Sequence, residues 1–220
     1  MIKAIFFDFD GVIVESVDIK TCAFTKLFEP EGELIAKKVR DYHLKNTGVS
    51  RFDKFRYIYK EILCRPLNED EFKKLCDKFA GLVMDEVVKA LYVKGAIEFL
   101  NAYGPKHGCY LLSATPQGEI EEILRRRSID KFFKAVYGAP FKKTDAVKEI
   151  LHKERLKPSE ALYVGDAMSD YIAARDNSVY FIARINNNEA IFKGIDCPKI
   201  KDLTKLPSMI EEQRNARAKR

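Results

Sequence analysis

The amino-acid sequence predicts an α/β protein in which a doubly wound parallel sheet is interrupted by an inserted helical module. Two observations lead to this prediction. Short apolar runs recur along much of the chain and helix-like stretches separate most of them, which is typical of buried parallel strands and their crossover helices. Between residues 15 and 93 the pattern is instead helical throughout, with many charged residues and no convincing strand.

The predicted strands are short and rich in apolar residues. The first covers residues 2–7 and stops at Asp8, as a buried strand of a parallel sheet would. The others cover residues 109–112, 135–137, 161–164 and 179–183. Together they predict a Rossmann-like core domain made of residues 1–14 and 94–220.

The inserted module, residues 15–93, is expected to be a small α-helical domain. Its apolar periodicity predicts helices at about 17–28, 32–44, 51–63 and 69–90, the last two separated by Pro66 and Asn68. A chain of 220 residues is long enough for one well-buried core and a small module, but short for two independent full-sized domains.

Composition narrows the class of protein. The net charge of +6 comes from a sequence with both signs interspersed, which indicates an ordinary soluble surface and suits a site for phosphorylated anions. Nucleic acid is not the expected partner. The five cysteines are scattered without a Cys-x-x-Cys pair, and no signal peptide or membrane span fits. We therefore expect a cytoplasmic protein with reduced thiols and no membrane partner, as a monomer or weak homodimer.

Two aspartates, Asp8 and Asp10, follow the first predicted strand and precede Gly11. Ligands of open α/β sheets bind at the carboxyl ends of the strands, so chemistry is expected here. Their period-two spacing can aim both side chains into one crevice, where the two like charges repel unless a cation or a shared proton relieves them. A strand-ending turn would account for Asp10 alone but not for the pair.

A second acidic pair, Asp166 and Asp170, follows the strand predicted at 161–164. If a helix starts near Ala167, residues four apart can face the same crevice. Carboxylates that converge on one edge of the sheet form an oxygen-only site for a hard cation, and Mg²⁺ suits it. Favourable electrostatics in the first turn of a helix would be the alternative reason for Asp170.

Two further positions could contact an anion. Ser113 ends the strand predicted at 109–112, and Thr115-Pro116 is typical of an N-cap followed by the first helical residue, so Ser113 and free backbone N–H groups such as that of Ala114 could bind phosphate. Lys142-Lys143 precedes a predicted helix, an unusual place for a basic pair unless an anion lies nearby. Either lysine could otherwise be a solvated surface charge.

Taken together and in this order, these four motifs resemble those of the haloacid dehalogenase superfamily of phosphatases and phosphomutases, over nearly the whole chain. The resemblance implies that Asp8 is the nucleophile, with an aspartyl-phosphate intermediate, and that Asp10 is the general acid and base. It assigns phosphate binding to Ser113, Ala114 and Lys143, with Lys142 as a fallback. It places Mg²⁺ on Asp8, the backbone carbonyl of Asp10, Asp166 and Asp170, of which Asp166 is the preferred direct ligand.

The insertion resembles the small α-helical cap of this superfamily, in its phosphoglycolate phosphatase and β-phosphoglucomutase-like branch. Gly48-Val49-Ser50-Arg51 is similar to a cap loop that brings an arginine to the substrate, so Arg51 is the expected contact for a distal phosphate or carboxylate. The alternative is that Ser50 caps a helix and Arg51 points to water.

The sequence thus predicts a Mg²⁺-dependent phosphatase of a small phosphorylated metabolite, such as a sugar phosphate or a phosphoglycolate-like acid. A β-phosphoglucomutase-like phosphomutase is the first alternative. It is weakened because Lys20 stands where those mutases tend to have a histidine on the first cap helix. A non-catalytic protein that binds a phosphometabolite is the second alternative, although such a protein would have no need of the complete set of motif residues.

Overall fold

The structure of the protein is a computed structural model that describes residues 1–186 and 189–218. Side chains in the last helix are described as far as residue 213, and the basic chain end, Lys219 and Arg220, lies outside the described residues. No helix in this described part combines the length and the apolar character needed to cross a membrane.

The strands are β1 (Ala4–Phe7), β2 (Gly108–Pro116), β3 (Ala135–Ala139), β4 (Ala161–Gly165), β5 (Tyr180–Arg184) and β6 (Lys199–Ile200). Among the described residues they form one six-stranded sheet in the order β3-β2-β1-β4-β5-β6, and every neighbouring pair is parallel. β1 lies at the centre and is buried along its whole length. The predicted doubly wound sheet is confirmed, and β6 is the strand that the sequence did not reveal.

The insertion between β1 and β2 is helical, as predicted. Its helices are α1 (Val17–Phe28), α2 (Glu33–Lys45), α3 (Arg51–Tyr57) and α4 (Glu69–Lys89), and α3 continues into a π-helical turn, Ile58–Ile62. The side chains of Ser50 and Asn68 each accept a hydrogen bond from a backbone N–H in the following turn, which fixes the residues where α3 and α4 begin.

The two connections of the insertion to the sheet run side by side. The N–H of Glu15 donates to the carbonyl of Leu91 (2.9 Å), and the N–H of Val93 donates to the carbonyl of Ile13 (3.0 Å). The chain therefore leaves and rejoins the sheet at one place. These connections lie next to the boundaries expected at residues 15 and 93, and the division into two domains stays a prediction.

The remaining helices cover both faces of the sheet. They are α5 (Ala96–Tyr103), α6 (Gln117–Arg126), α7 (Lys143–Lys153), α8 (Met168–Asp176) and α9 (Leu206–Ala218). Alternate residues of β1 point to opposite sides: Ile5 and Phe7 belong to an apolar cluster with α5, α6 and the insertion, whereas Ala4 and Phe6 pack with α7 and α8. Short 3₁₀ segments complete the chain at Glu29–Glu31, Gly104–Lys106, Asp130–Phe132, Pro158–Glu160, Glu189–Phe192 and Leu203–Lys205.

One local prediction is wrong. Thr115 was expected to cap a helix that begins at Pro116, but β2 continues to Pro116 and α6 begins at Gln117. The physical reason is that the Thr115 hydroxyl has other partners, since it donates to Asp10 and accepts from Lys20. The side chain therefore belongs to a polar network at the carboxyl edge of the sheet and does not cap the helix.

Candidate active site

The aspartates after β1 lie where the central strand opens at the carboxyl edge of the sheet. Asp8 is buried, and its Oδ1 accepts a hydrogen bond from the N–H of Phe9 (2.7 Å). Gly11 adopts a φ of 76°, and a Cβ built on it would lie 2.3 Å from Oδ2 of Asp166. Only glycine suits this turn, because it both permits the positive φ and leaves room for the carboxylate of the second acidic motif.

Lys143, the first residue of α7, joins the two acidic motifs. Its Nζ lies 3.0 Å from Oδ1 of Asp8 and 2.8 Å from Oδ1 of Asp170. Burial alone would lower the pKa of Lys143, but the carboxylates of Asp170 and Asp8 raise it above its usual value, so the lysine stays charged. Lys142 is exposed. The geometry therefore places Lys143 rather than Lys142 against the candidate nucleophile.

Asp170 is held firmly on the other side of Lys143. Its Oδ1 also accepts a hydrogen bond from the hydroxyl of Tyr163 (2.8 Å), and its Oδ2 accepts one from the N–H of Ala167 (3.1 Å). The residue is fully buried at the start of α8. Because both carboxylate oxygens have donors, Asp170 is well placed to orient Lys143.

Three buried carboxylates, those of Asp8, Asp166 and Asp170, offer oxygen atoms that all lie within 4.8 Å of one another. Burial raises the pKa of Asp166 well above its usual range, and the nearby charges of Asp8 and Asp170 raise it further. Three carboxylates carry more negative charge than the ammonium of Lys143 can offset. An oxygen-only donor set with an excess of negative charge fits Mg²⁺.

Asp10 has a separate set of partners. Ser16 donates to its Oδ1 (2.6 Å), while Lys20 and Thr115 (3.2 Å) donate to its Oδ2. Burial would raise the pKa of Asp10, but the charge and hydrogen bond of Lys20, with the hydroxyls of Ser16 and Thr115, lower it below its usual value. Asp10 is thus held as a carboxylate, and Lys20, noted in the sequence only as a departure from the mutases, becomes its principal partner.

The predicted phosphate-binding segment follows on β2. Ser113 is buried, and its Oγ accepts a hydrogen bond from the N–H of Thr115 (3.1 Å). Ala114 lines the same cavity as Asp8 and Asp10, and it also borders a neighbouring groove with Ser113 and Lys143. Ala114 and Lys143 therefore lie beside Asp8, and Ser113 lies next to both of them along the groove.

The insertion closes the cavity from above with Phe24, His43, Arg51, Lys54, Phe79 and the loop 47–49. The carbonyl of Gly48 accepts a hydrogen bond from Oγ of Ser169 on α8 (3.1 Å), and a Cβ on Gly48 would lie 2.1 Å from that oxygen. The loop therefore sits directly on the core. The cavity between the insertion and the core measures about 30 Å³, which is room for about two water molecules.

Arg51 is buried in the cavity wall rather than exposed to solvent. Its guanidinium makes two hydrogen bonds to Glu119 on α6 (3.0 and 2.6 Å) and lies 4.5 Å from the centre of the Phe79 ring. The alternative that Arg51 points to water is wrong, because these contacts hold the side chain against the core. Its expected contact with substrate stays a prediction, since Glu119 already occupies the fork of the guanidinium.

Lys54, one turn after Arg51, was not identified from the sequence. It is 2% exposed, and its Nζ hydrogen-bonds Nδ1 of His43 (3.0 Å) and the carbonyl of Thr47 (3.3 Å). Burial lowers the pKa of Lys54 to about 7, with a smaller contribution from Lys20. A buried lysine on a polar helix has no distinctive sequence pattern, so only the tertiary structure reveals it.

Comparison with known proteins agrees with this geometry. Residues 5–184 match the haloacid dehalogenase-like hydrolase family. A phosphoglycolate phosphatase of Vibrio parahaemolyticus is 29% identical over 187 residues, which cover 80% of each chain. A phosphorylated carbohydrates phosphatase of Thermotoga maritima is 27% identical over 183 residues, covering 80% of this chain and 82% of that one.

A crystal structure of β-phosphoglucomutase from Clostridium difficile superposes with a TM-score of 0.80 over the full length of both chains, at 18% identity. At this identity the likeness concerns the fold alone. The family match, in contrast, spans both acidic motifs and the whole insertion. The chain is therefore an enzyme that belongs to the haloacid dehalogenase-like hydrolase family.

Proposed function

We propose that the protein is a Mg²⁺-dependent phosphatase that hydrolyses a small phosphorylated metabolite through an aspartyl-phosphate on Asp8. The observation that carries the proposal is the buried cluster at the edge of the sheet, in which Asp8 contacts Lys143 at 3.0 Å and shares a cation-sized space with Asp166 and Asp170. The curated relatives named as phosphatases support the same reaction class.

In the first step, a carboxylate oxygen of Asp8 attacks phosphorus and the bond from phosphorus to the leaving oxygen breaks. Lys143, Ser113 and the N–H of Ala114 orient the phosphoryl group and offset its charge. Mg²⁺, bound by Asp8, Asp166, Asp170 and the backbone carbonyl of Asp10, would supply further charge neutralisation for the phosphoryl oxygens.

In the second step, water attacks the phosphorus of the aspartyl-phosphate, the bond to Asp8 breaks, and inorganic phosphate leaves. Asp10 is the proposed proton carrier for both steps: it gives a proton to the leaving oxygen and later takes one from the attacking water. Its contacts with Lys20, Ser16 and Thr115 favour the carboxylate, the form that accepts the proton of water. An incoming phosphoryl dianion favours the protonated form needed for the first step.

The insertion is proposed to act as a cap. The cavity of about 30 Å³ is small for a phosphate ester, and we propose that the insertion moves away from the core when substrate enters. The paired connections at Glu15 and Val93 provide the place about which it can move. Closure over the bound substrate would keep bulk water away from Asp8 during the first step.

The first test is Mg²⁺-dependent phosphate release from p-nitrophenyl phosphate and from a panel of sugar and carboxylic-acid phosphates. We expect Asp8→Asn to abolish phosphate release, because the amide is a poor nucleophile. A chelator should also abolish release, because it removes the Mg²⁺ that the reaction is proposed to require. Asp18→Asn, an exposed aspartate on α1, is the matched control and should leave the rate unchanged. Release that survives in Asp8→Asn would contradict the proposed nucleophile.

The same panel separates the alternatives. A requirement for a sugar bisphosphate activator, with isomerisation in place of phosphate release, would identify a phosphomutase. Binding of phosphorylated ligands without turnover by the folded wild-type protein would identify a non-catalytic binding protein.

A further inference from the structure

The cavity is lined from the insertion by three cationic side chains, those of Lys20, Arg51 and Lys54. Lys20 is paired with Asp10, and Arg51 is paired with Glu119. Within the described part of the chain, Lys54 forms no ion pair with a carboxylate, and its hydrogen bonds go to the neutral partners His43 and Thr47. Lys54 therefore brings a buried positive charge into the cavity wall without a protein anion to balance it.

The polar groups around Lys54 have unused hydrogen-bond donors. An ammonium group carries three hydrogens, and His43 and Thr47 account for two of them. Burial, with the charges of Lys54 and Lys20, lowers the pKa of His43 to about 2, so the ring is neutral. Because Nδ1 accepts from Lys54, the ring hydrogen lies on Nε2, which is buried and has no partner among the described residues.

This arrangement is unfavourable in the protein by itself. A buried ammonium without a counter-charge and a buried donor without an acceptor both lower the stability of the folded chain. The Nζ atom lies 5.2 Å from the centre of the Phe24 ring, and an apolar side chain at this position would pack without that cost. An anionic group of a ligand in the cavity would supply the counter-charge that Lys54 lacks, on the side of the ammonium away from His43.

We infer that Lys54, positioned by His43 and Thr47, binds a second anionic group of the substrate, a carboxylate, on the insertion side of the cavity that Asp8 lines on the core side. The inference rests on the proposed phosphatase function and names its substrate class as phosphate monoesters of short hydroxy acids. Because Lys20 and Arg51 are already paired with carboxylates, Lys54 offers one positive charge, which matches the single charge of a carboxylate better than that of a phosphate dianion.

The binding is expected to depend on pH. Lys54, with a pKa of about 7, is influenced by Lys20 on α1, Arg51 on α3, and Asp10 and Lys143 of the core, beside the neutral His43 on α2. As the pH rises through about 7 the ammonium loses its proton, so the preference of the free enzyme for a carboxylate-bearing substrate falls. The preference is measured against a matched substrate that has the same phosphate group but no carboxylate. Because the phosphate titrates in both substrates, its effect cancels in the ratio of their kcat/KM values.

The test compares kcat/KM for phosphoglycolate and for ethyl phosphate, which has a similar size but no carboxylate. Lys54→Met should lower kcat/KM for phosphoglycolate about 10- to 100-fold, the value of a charge-assisted hydrogen bond, and leave ethyl phosphate unchanged. Lys54→Arg should restore much of the preference and make it independent of pH. Lys60→Met, an exposed lysine in the π-helical turn after α3, is the control and should match wild type.

An equal loss for both substrates, in a variant with wild-type thermal unfolding, would overturn the inference, and so would no loss for either. If the protein has no phosphatase activity, binding can still be measured by calorimetric titration of non-hydrolysable phosphonates in the presence of Mg²⁺. This experiment needs no turnover, so it distinguishes a failure of the inference about Lys54 from a failure of the proposed function. Wild type should bind 3-phosphonopropionate more tightly than propylphosphonate, and Lys54→Met should remove the difference. Tighter binding of ethylenediphosphonate than of 3-phosphonopropionate would show that the second anion is a phosphate, and would overturn the assignment to hydroxy acids.

Discussion

At the scale of the residue, the state of Asp10 is decided by a competition between burial and its hydrogen-bond donors. Burial favours the neutral acid, whereas Lys20, Ser16 and Thr115 favour the carboxylate, and the donors prevail. Lys20 contributes the largest of these favourable effects, since it supplies both a charge and a hydrogen bond. The residue that carries protons in the proposed reaction therefore depends on a lysine of the insertion.

Replacing Lys20 by Met should raise the pKa of Asp10, because burial then acts with less opposition. The carboxylate accepts the proton of the attacking water, so the acid limb of the kcat profile should move to higher pH and kcat should fall about 10- to 100-fold. The measurement is the pH profile of phosphate release. Lys26→Met, an exposed lysine on the same helix, is the control, and an acid limb that does not move would contradict this role of Lys20.

Replacement of glycine by alanine should lower the free energy of unfolding at Gly11 and raise it at Gly81. Gly11→Ala places a methyl group against the Asp166 carboxylate at a φ of 76°, so both activity and the free energy of unfolding should fall. Gly81 lies within α4 and has no atom within 4 Å of a built Cβ, so Gly81→Ala should stabilise the protein by about 0.5–1 kcal/mol with activity unchanged. Urea unfolding and phosphate release measure both effects; wild-type activity in Gly11→Ala would show that the turn tolerates a side chain.

At the scale of the element, the sequence was informative wherever the pattern is local. Apolar runs located β1 to β5, and periodicity with the caps Ser50 and Asn68 located the insertion helices closely. β6 was missed because a strand of two residues carries no pattern. Thr115 misled the prediction because hydroxyl side chains serve equally well as caps and as partners in a polar network.

The packing of the insertion against the core could not be predicted from sequence, because its contacts join elements far apart in the chain. Arg51 at the start of α3 meets Glu119 in α6, 68 residues later, with a bidentate ion pair. Arg51 is almost fully buried and Glu119 is about one quarter exposed (4% and 23% of the side-chain surface). The pair is therefore partly shielded from solvent and connects α3 to α6.

A double-mutant cycle measures this connection. Glu119→Gln removes the charge that balances a buried guanidinium, so the free energy of unfolding should fall by about 1–3 kcal/mol. Arg51→Met should remove the sensitivity to position 119, so the double variant should lose less stability than the two single losses combined. Urea unfolding provides the values, with Glu122→Gln on the exposed side of α6 as the control. Strict additivity would mean that the two residues do not interact in solution.

At the scale of the whole molecule, a continuous apolar cluster links the insertion to one face of the sheet. It joins Ile5 and Phe7 of β1 to Phe24, Phe55 and Phe79 of the insertion. The motif residues Asp8, Lys143, Asp166 and Asp170 could be found from sequence because each follows a strand or begins a helix. Lys54, His43 and Glu119 could not, because their contacts join helices that only the tertiary structure brings together.

The burial of Lys54 should also be visible in the stability of the whole protein. Its pKa is about 7 in the folded chain and about 10.4 when unfolded, so between these values the unfolded state binds more protons and stability rises with pH. The difference in unfolding free energy between wild type and Lys54→Met should therefore increase from pH 7 to 9.5, by up to about 1.4 kcal/mol per pH unit. Urea unfolding at several pH values gives this difference, in which the other titrating groups cancel. For the control Lys60→Met, the difference in unfolding free energy from wild type should not change with pH. If the difference for Lys54→Met does not change with pH either, the buried lysine remains charged throughout this range.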